Sequence, residues 1–198
     1  MIFDCDGVLV DSEAASASAW QAALARFDFH IDGETFATFV GTTDRALAIS
    51  FAAQIGARVD EVLEAAEQEM RLIAGQGLGS FPDAVALVER LTVPVAVASN
   101  SDRWRLDEVL GSAGVRRLFE VTVAADEVAL PKPAPDIYLR AAELLETVPS
   151  DCLVIEDSPT GIAAARAAGM TVVAVRRGHF ADDLLIDADW IVDSLDEV

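Results

Sequence analysis

A chain of 198 residues suffices for one full domain with an insertion, and it can bury most of its apolar surface without disulfide or metal staples. Hydrophobic residues at 53% and charged residues at 24% exclude a disordered chain, and no apolar run reaches membrane-spanning length. Thirty-four acids against fourteen bases give a formal charge of −20, which repels nucleic-acid backbones and anionic membranes and excludes both as partners. The same charge means that an anionic substrate has to be held by a local cation.

The chain opens on a short apolar run, residues 1–3, that leads straight into Asp4-Cys5-Asp6-Gly7. Residues 12–80 contain no convincing strand. Trp20, Leu24 and Phe27 share one helical face, as do Phe36, Phe39 and Val40; Leu47, Phe51 and Ile55 form a third stripe, and Leu63, Ala66, Met70 and Ile73 a fourth. Gly33, Gly41 and Gly56 punctuate these stripes, and Gly75, Gly77 and Gly79 read as a flexible return linker. A four-helix insertion is therefore expected over 12–80, within a core formed by 1–11 and 81–198.

Beyond Phe81 short apolar runs alternate with helical stretches. Strands are predicted at 94–98, 120–124, 152–155, 171–175 and 190–192, and helices at 83–91, 103–113, 136–145 and 160–168. Ser158 can cap the last helix, Pro159 suits its first position and Gly169 can close it. Strand and helix alternating in this way predict an α/β fold, a parallel Rossmann-like sheet with right-handed crossovers. Cys5 and Cys152 lie inside apolar runs and read as buried structural thiols. With no signal-peptide pattern ahead of the first motif, a cytoplasmic location is expected. A monomer is compatible with the sequence, which leaves the oligomeric state open.

In an open parallel sheet ligands gather at the carboxyl ends of the strands. The polar residues there are Asp4 and Asp6, then Ser99-Asn100-Ser101, then Glu156-Asp157-Ser158, with Lys132 just before the helix that leads to the last set. Each group alone has an ordinary reading as a turn or a solvated loop. Their order at successive strand ends does not. Lys132 is the only lysine among the fourteen bases, and Pro131 and Pro133 fix its backbone beside this cluster.

Together these residues resemble the haloacid dehalogenase-like superfamily, in particular its phosphatases with a small helical cap. Phe3-Asp4-Cys5-Asp6-Gly7-Val8-Leu9-Val10-Asp11-Ser12-Glu13 is similar to the family's first motif and hinge, Val97-Ala98-Ser99-Asn100-Ser101 to its second, Lys132-Pro133-Ala134-Pro135-Asp136 to its third, and Ile155-Glu156-Asp157-Ser158 to its fourth. The resemblance implies a Mg²⁺-dependent phosphatase acting on a small phosphorylated metabolite. Asp4 would be the nucleophile that carries an aspartyl-phosphate, and Asp6 the general acid and base. Mg²⁺ would be held by Asp4, the backbone carbonyl of Asp6 and Asp157, with Glu156 supporting them from behind. Ser99, the backbone N–H of Asn100 and Lys132 would bind the phosphoryl oxygens. The insertion would be a cap that reads the leaving group, with Arg45 as a candidate contact, although Arg45 also reads as a solvated helix residue.

Alternatives within the superfamily separate on single residues. Dehalogenases lack the second aspartate, here Asp6, and phosphonate hydrolases use a cap lysine that this chain does not have. Sugar-phosphate mutases of the β-phosphoglucomutase type carry a histidine where this chain has Ser16. They also carry basic residues in the loop that corresponds to 40–44. An inactive binding or regulatory module of the same fold is disfavoured by Asp4, Asp6, Lys132 and Asp157 occurring together. His30 and His179 read as surface or loop residues, and Trp20 and Trp104 as packing residues.

Overall fold

The computed structural model describes residues 1–39 and 41–198. The chain starts with β1 (Ile2–Phe3) and β2 (Val10–Asp11) and continues through helices α1 (Glu13–Ala25), α2 (Gly33–Ala37), α3 (Asp44–Ile55) and α4 (Val59–Ala74). It returns through β3 (Gly79–Ser80), α5 (Pro82–Arg90), β4 (Ala96–Ala98), α6 (Arg103–Ser112) and β5 (Val121–Val123). It ends with α7 (Asp136–Leu144), β6 (Leu153–Glu156), α8 (Pro159–Ala167), β7 (Thr171–Val175) and β8 (Trp190–Val192).

Six strands form one parallel sheet in the order β5-β4-β1-β6-β7-β8. Successive strand residues point to opposite faces, and the apolar residues divide accordingly. Phe3, Val97 and Ile155 face a core layer with Leu87 of α5 and Leu106, Val109 and Leu110 of α6. Ile2, Ala96, Ala98 and Val154 face the opposite layer with Ile137 and Tyr138 of α7 and Ile162 of α8. Helices therefore cover both faces, which is why the central strands are apolar on each side. Strand β7 reads Thr-Val-Val-Ala-Val, a β-branched run buried from Val172 onward.

Helix α8 starts as its sequence predicts. Ser158 accepts a hydrogen bond from the Gly161 N–H, Pro159 occupies the first turn, and Gly169 follows the end at φ +74°. Helices α1 to α4 close around a separate apolar cluster of Trp20, Leu24, Phe36, Leu47, Phe51 and Val62. Val40, expected on the stripe of Phe36 and Phe39, lies outside the described residues. Met70 of α4 and Ala15 and Ala19 of α1 join the core layer beneath α6 instead, so this helical lobe rests on the sheet domain through those two helices.

One expectation for the 12–80 segment fails. Gly79 is not part of a free linker: Gly79 and Ser80 pair antiparallel with Asp11 and Val10. The Phe81 N–H extends this ribbon to the Leu9 carbonyl at 3.0 Å. Gly79 lacks the side chain that marks a strand, and pairing across the two chain crossings overrides its low strand propensity. Among the described residues no helix is long and apolar enough to cross a membrane.

Candidate active site

Strand β1 sits where the connections reverse, with β4 and β5 on one side and β6 to β8 on the other. This is the point at which open α/β sheets leave a crevice. Phe3 lies opposite both Val97 and Ile155, so the segments after all three strands leave the sheet at one edge. The Asp4 N–H still donates to the Ile155 carbonyl at 2.9 Å, and the Ser99 N–H to Val123 at 3.0 Å. Strand ladders thus fix the backbone of Asp4 and Ser99 to within a hydrogen bond.

Lys132 reaches into this edge and donates to Asp4 Oδ1 at 2.5 Å and to Glu156 Oε1 at 2.6 Å. Its loop is held by the Asn100 amide, whose Oδ1 accepts from the Lys132 N–H at 2.8 Å while Nδ2 donates to the Lys132 carbonyl at 3.2 Å. Burial alone would depress the ammonium, but the Asp4 and Glu156 carboxylates outweigh it and raise Lys132 well above the usual lysine range. Glu156 is wholly buried and fully engaged. The Tyr138 hydroxyl also donates to Oε1 at 2.6 Å, and Oε2 accepts from the Asp157 and Ser158 N–H groups, each at 3.1 Å, and from Ser158 Oγ at 2.9 Å. A side chain at Gly161 would begin 1.6 Å from Glu156 Oε1, so only glycine lets α8 close over this carboxylate.

Asp157 is the opposite case. It is 5% exposed, yet among the described residues no hydrogen bond ends on its carboxylate. One of its oxygens lies within 4.8 Å of one oxygen each of Asp4 and Glu156, and a Cβ on Gly7 would come within 2.1 Å of Asp157 Oδ2. Burial, then Glu156 and Asp4, raise its pKa well above the usual carboxylate range. Asp4 is pushed up to about 8 by burial, against the opposing pull of Lys132. Three buried carboxylates facing one ammonium leave a deficit of positive charge. An unpartnered buried carboxylate beside Asp4, both hard oxygen donors, fits a divalent cation such as Mg²⁺.

Asp6 turns toward the lobe. It accepts hydrogen bonds from Ser12 Oγ on Oδ1, and from Ser99 Oγ at 3.4 Å and Ser101 Oγ at 3.2 Å on Oδ2. Beyond it stands Arg105 of α6, 5% exposed, donating from Nε to Ser101 Oγ at 3.1 Å and from Nη2 to Ser16 Oγ at 3.3 Å. The same guanidinium is 3.6 Å from Asp6 Oδ1 and 3.6 Å from Asp44 Oδ2. Asp44 opens α3 and also accepts from Trp20 Nε1 at 3.1 Å. These groups enclose a cavity of about 70 Å³ between sheet edge and lobe, with Trp20, Phe36, Phe39 and Leu47 as its apolar wall. Glu13 also faces it, pushed up to about 7 by burial and then by Asp6.

Asp4, Asp6, Ser99, Asn100, Lys132 and Asp157 all line this one cavity, and Glu156 stands behind it on Lys132. Arg45 does not line it; its side chain is exposed on α3, one residue past Asp44. The cation at the lobe side is Arg105, which the sequence reading passed over. A signal was present: buried residues of α6 fall at Arg105, Leu106, Val109 and Leu110, so an arginine occupies an apolar stripe one turn after Ser101. Trp20 packs in the lobe core as expected and also contributes to the cavity wall. Cys5 and Cys152 are free and buried.

Residues 1–175 match the sequence profile of the haloacid dehalogenase-like hydrolases. Among curated relatives, the bifunctional riboflavin kinase/FMN phosphatase of Arabidopsis thaliana is 34% identical over 98% of this chain, which spans 53% of that protein's length. The fructose-1-phosphate phosphatase YqaB of Escherichia coli K12 is 32% identical over 89% of this chain and 95% of its own. Among solved structures, CbbY from Rhodobacter sphaeroides in complex with phosphate superposes with a TM-score of 0.88 over 99% of this chain and 94% of its own. At 24% identity that last likeness speaks for the fold alone. A profile match over residues 1–175, joined to a relative aligned along nearly the whole of both chains, establishes that this chain belongs to the haloacid dehalogenase-like hydrolase family.

Proposed function

We propose that this protein is a Mg²⁺-dependent phosphatase that hydrolyses a small phosphate monoester through an aspartyl-phosphate on Asp4. The observation that carries the proposal is the pairing, at one sheet edge, of Asp4 with the buried Lys132 ammonium at 2.5 Å and with the unpartnered carboxylate of Asp157. The nucleophile, the cation for the phosphoryl oxygens and a metal ligand are thus adjacent. The phosphatases named among its relatives support the same reaction class.

In this reading an Asp4 oxygen attacks phosphorus as the bond to the leaving oxygen breaks. Asp6 gives its proton to that oxygen and then takes one from the water that cleaves the acyl phosphate. Lys132, Ser99 and the Asn100 N–H hold the phosphoryl oxygens, while Asn100 keeps the Lys132 loop in place through its side chain. Asp4, the Asp6 carbonyl and Asp157 would hold the Mg²⁺. A bound divalent cation would supply the charge that lets a carboxylate approach a phosphate dianion. Residues 12–80 act as a cap on a core of 1–11 and 81–198. The cavity of about 70 Å³ suits a small leaving group. Two free buried cysteines accord with a cytoplasmic enzyme.

Water rather than a sugar is the final acceptor. Ser16 stands where a mutase would carry histidine, and the described part of the 40–44 loop brings Thr42 and Asp44 to the cavity but no cation. The test is phosphate release from a panel of small monoesters, with Mg²⁺ and with excess chelator, including β-glucose 1-phosphate with a bisphosphate primer. Release from at least one monoester, lost in chelator and restored by Mg²⁺, is expected. Full activity in chelator contradicts the metal site, and glucose 6-phosphate appearing faster than phosphate replaces the phosphatase with a mutase.

A further inference from the structure

Arg105 is a buried cation with no part in the phosphoryl chemistry, and it sits across the boundary between core and lobe. On the core side it donates to Ser101 Oγ and stands 3.6 Å from Asp6 Oδ1; on the lobe side it donates to Ser16 Oγ and stands 3.6 Å from Asp44 Oδ2. Five N–H donors in a rigid plane make a guanidinium a fixed spacer between two carboxylates. The other ion pair between lobe and core among the described residues, Arg71 with Glu108, is 3.9 Å long and solvent-exposed, and surface pairs of that kind contribute little.

We infer that Arg105 is a positioning residue that couples the lobe to the acid–base carboxylate, holding Asp6 for proton transfer when Asp44 and Ser16 of the lobe are seated on it. The inference rests on the proposed phosphatase reading. As the Asp4–phosphorus bond forms and the phosphorus–oxygen bond of the ester breaks, the Asp6 proton passes to the departing oxygen and Asp6 is left as a carboxylate. Arg105 stabilises that carboxylate where it forms, and Ser101, itself bonded to Arg105, fixes its second oxygen. Asp44 shares the guanidinium, so the charge is not spent on Asp6 alone. A lobe lifted away takes Asp44 and Ser16 with it, so Arg105 loses both lobe partners that hold its guanidinium against Asp6 Oδ1, while Ser99 and Ser101 keep only Oδ2.

Leaving groups separate this role from a structural one. Departure of an alkoxide needs the Asp6 proton; departure of acetate from acetyl phosphate does not. The ratio kcat/KM reports only steps up to that departure, so water attack on the acyl phosphate does not enter. Wild type, Arg105→Gln, Arg105→Lys and Asp44→Asn are compared on acetyl phosphate and on the best alkyl phosphate of the panel. General acid catalysis supplies ~10²–10⁴-fold, so Arg105→Gln and Asp44→Asn should each lose at least ~10-fold on the alkyl ester and under ~3-fold on acetyl phosphate, with Arg105→Lys between. Asp44→Asn preserves the side-chain shape and the Trp20 contact, and it decides the matter if Arg105→Gln does not fold. Equal losses on both substrates, or an Asp44→Asn variant like wild type on both, overturn the coupling. A wild type that hydrolyses neither substrate overturns the phosphatase reading itself.

Discussion

The two ends of the cavity are built on different principles. At the end around Asp4 the carboxylates sit at or beside strand termini, Lys132 reaches them from the loop ahead of α7, and the ladder around β1 fixes Asp4, Ser99 and Glu156 relative to one another. At the end facing the lobe the groups come from helices, with Glu13 on α1, Asp44 on α3 and Arg105 on α6, and their meeting depends on how the lobe rests on the core. The first end is a property of topology. The second is a property of packing, and it is where a family can change its substrate without disturbing its chemistry.

That contrast can be tested at each end. Asp4→Asn should cost turnover on the order of 10⁴-fold or more, equally on every substrate, in a protein that still melts cooperatively. Phosphate release near the wild-type rate would remove the chemistry from the sheet edge. Glu13 offers a stability test at the other end. Its folded-state pKa of about 7 lies above the ordinary glutamate value of 4.5, so the folded chain binds the extra proton. The stabilisation this provides is complete below pH ~4.5 and is lost as the pH rises through about 7. Glu13→Gln should therefore be more stable than wild type by about 1–3 kcal/mol at pH 8, allowing for partial exposure, and the gain should vanish near pH 4. Thermal melts across that range check it; a gain independent of pH would show that Glu13 is not held in a desolvated site. The smallest effect is expected at Arg45, exposed and outside the cavity wall. Arg45→Ala should shift stability by no more than about 0.5 kcal/mol and leave kcat/KM essentially unchanged, and a substrate-selective loss would restore it as a contact.

The same division governed what could be read from the sequence. Alternating apolar runs and helical stretches made the parallel sheet legible, and the polar residues ending those runs converge because parallel strands end at one edge. Strands 171–175 and 190–192 stand where predicted, while other boundaries moved by one or two residues, as for 94–98, which begins at Ala96, and 152–155, which ends at Glu156. Arg105 stayed hidden because an arginine on a helix normally faces water, and only its companions Leu106 and Val109 mark the face as buried. In the sequence Asp44 stands only at the end of the 40–44 loop; in the structure it opens α3 behind the Thr43 cap, and its contacts with Trp20 and Arg105 need the third dimension. The ribbon of β2 and β3 has two residues per strand, too few for any periodicity to register.

That ribbon also determines the lever on which the lobe is mounted. Both crossings between core and lobe are tied together at Val10 opposite Ser80 and Asp11 opposite Gly79, so the lobe has one fulcrum instead of two separate tethers. A body held this way can pivot about the ribbon far more easily than it can slide across the sheet. The fulcrum lies only a few residues from Asp6: Gly7 N–H donates to the Val10 carbonyl at 2.9 Å, and Ser12, the next residue after the ribbon strand, bonds Asp6 Oδ1. A rotation about the ribbon would move Ser12 and with it the hydroxyl that holds Asp6 Oδ1, so the position of the lobe and the orientation of Asp6 share one joint.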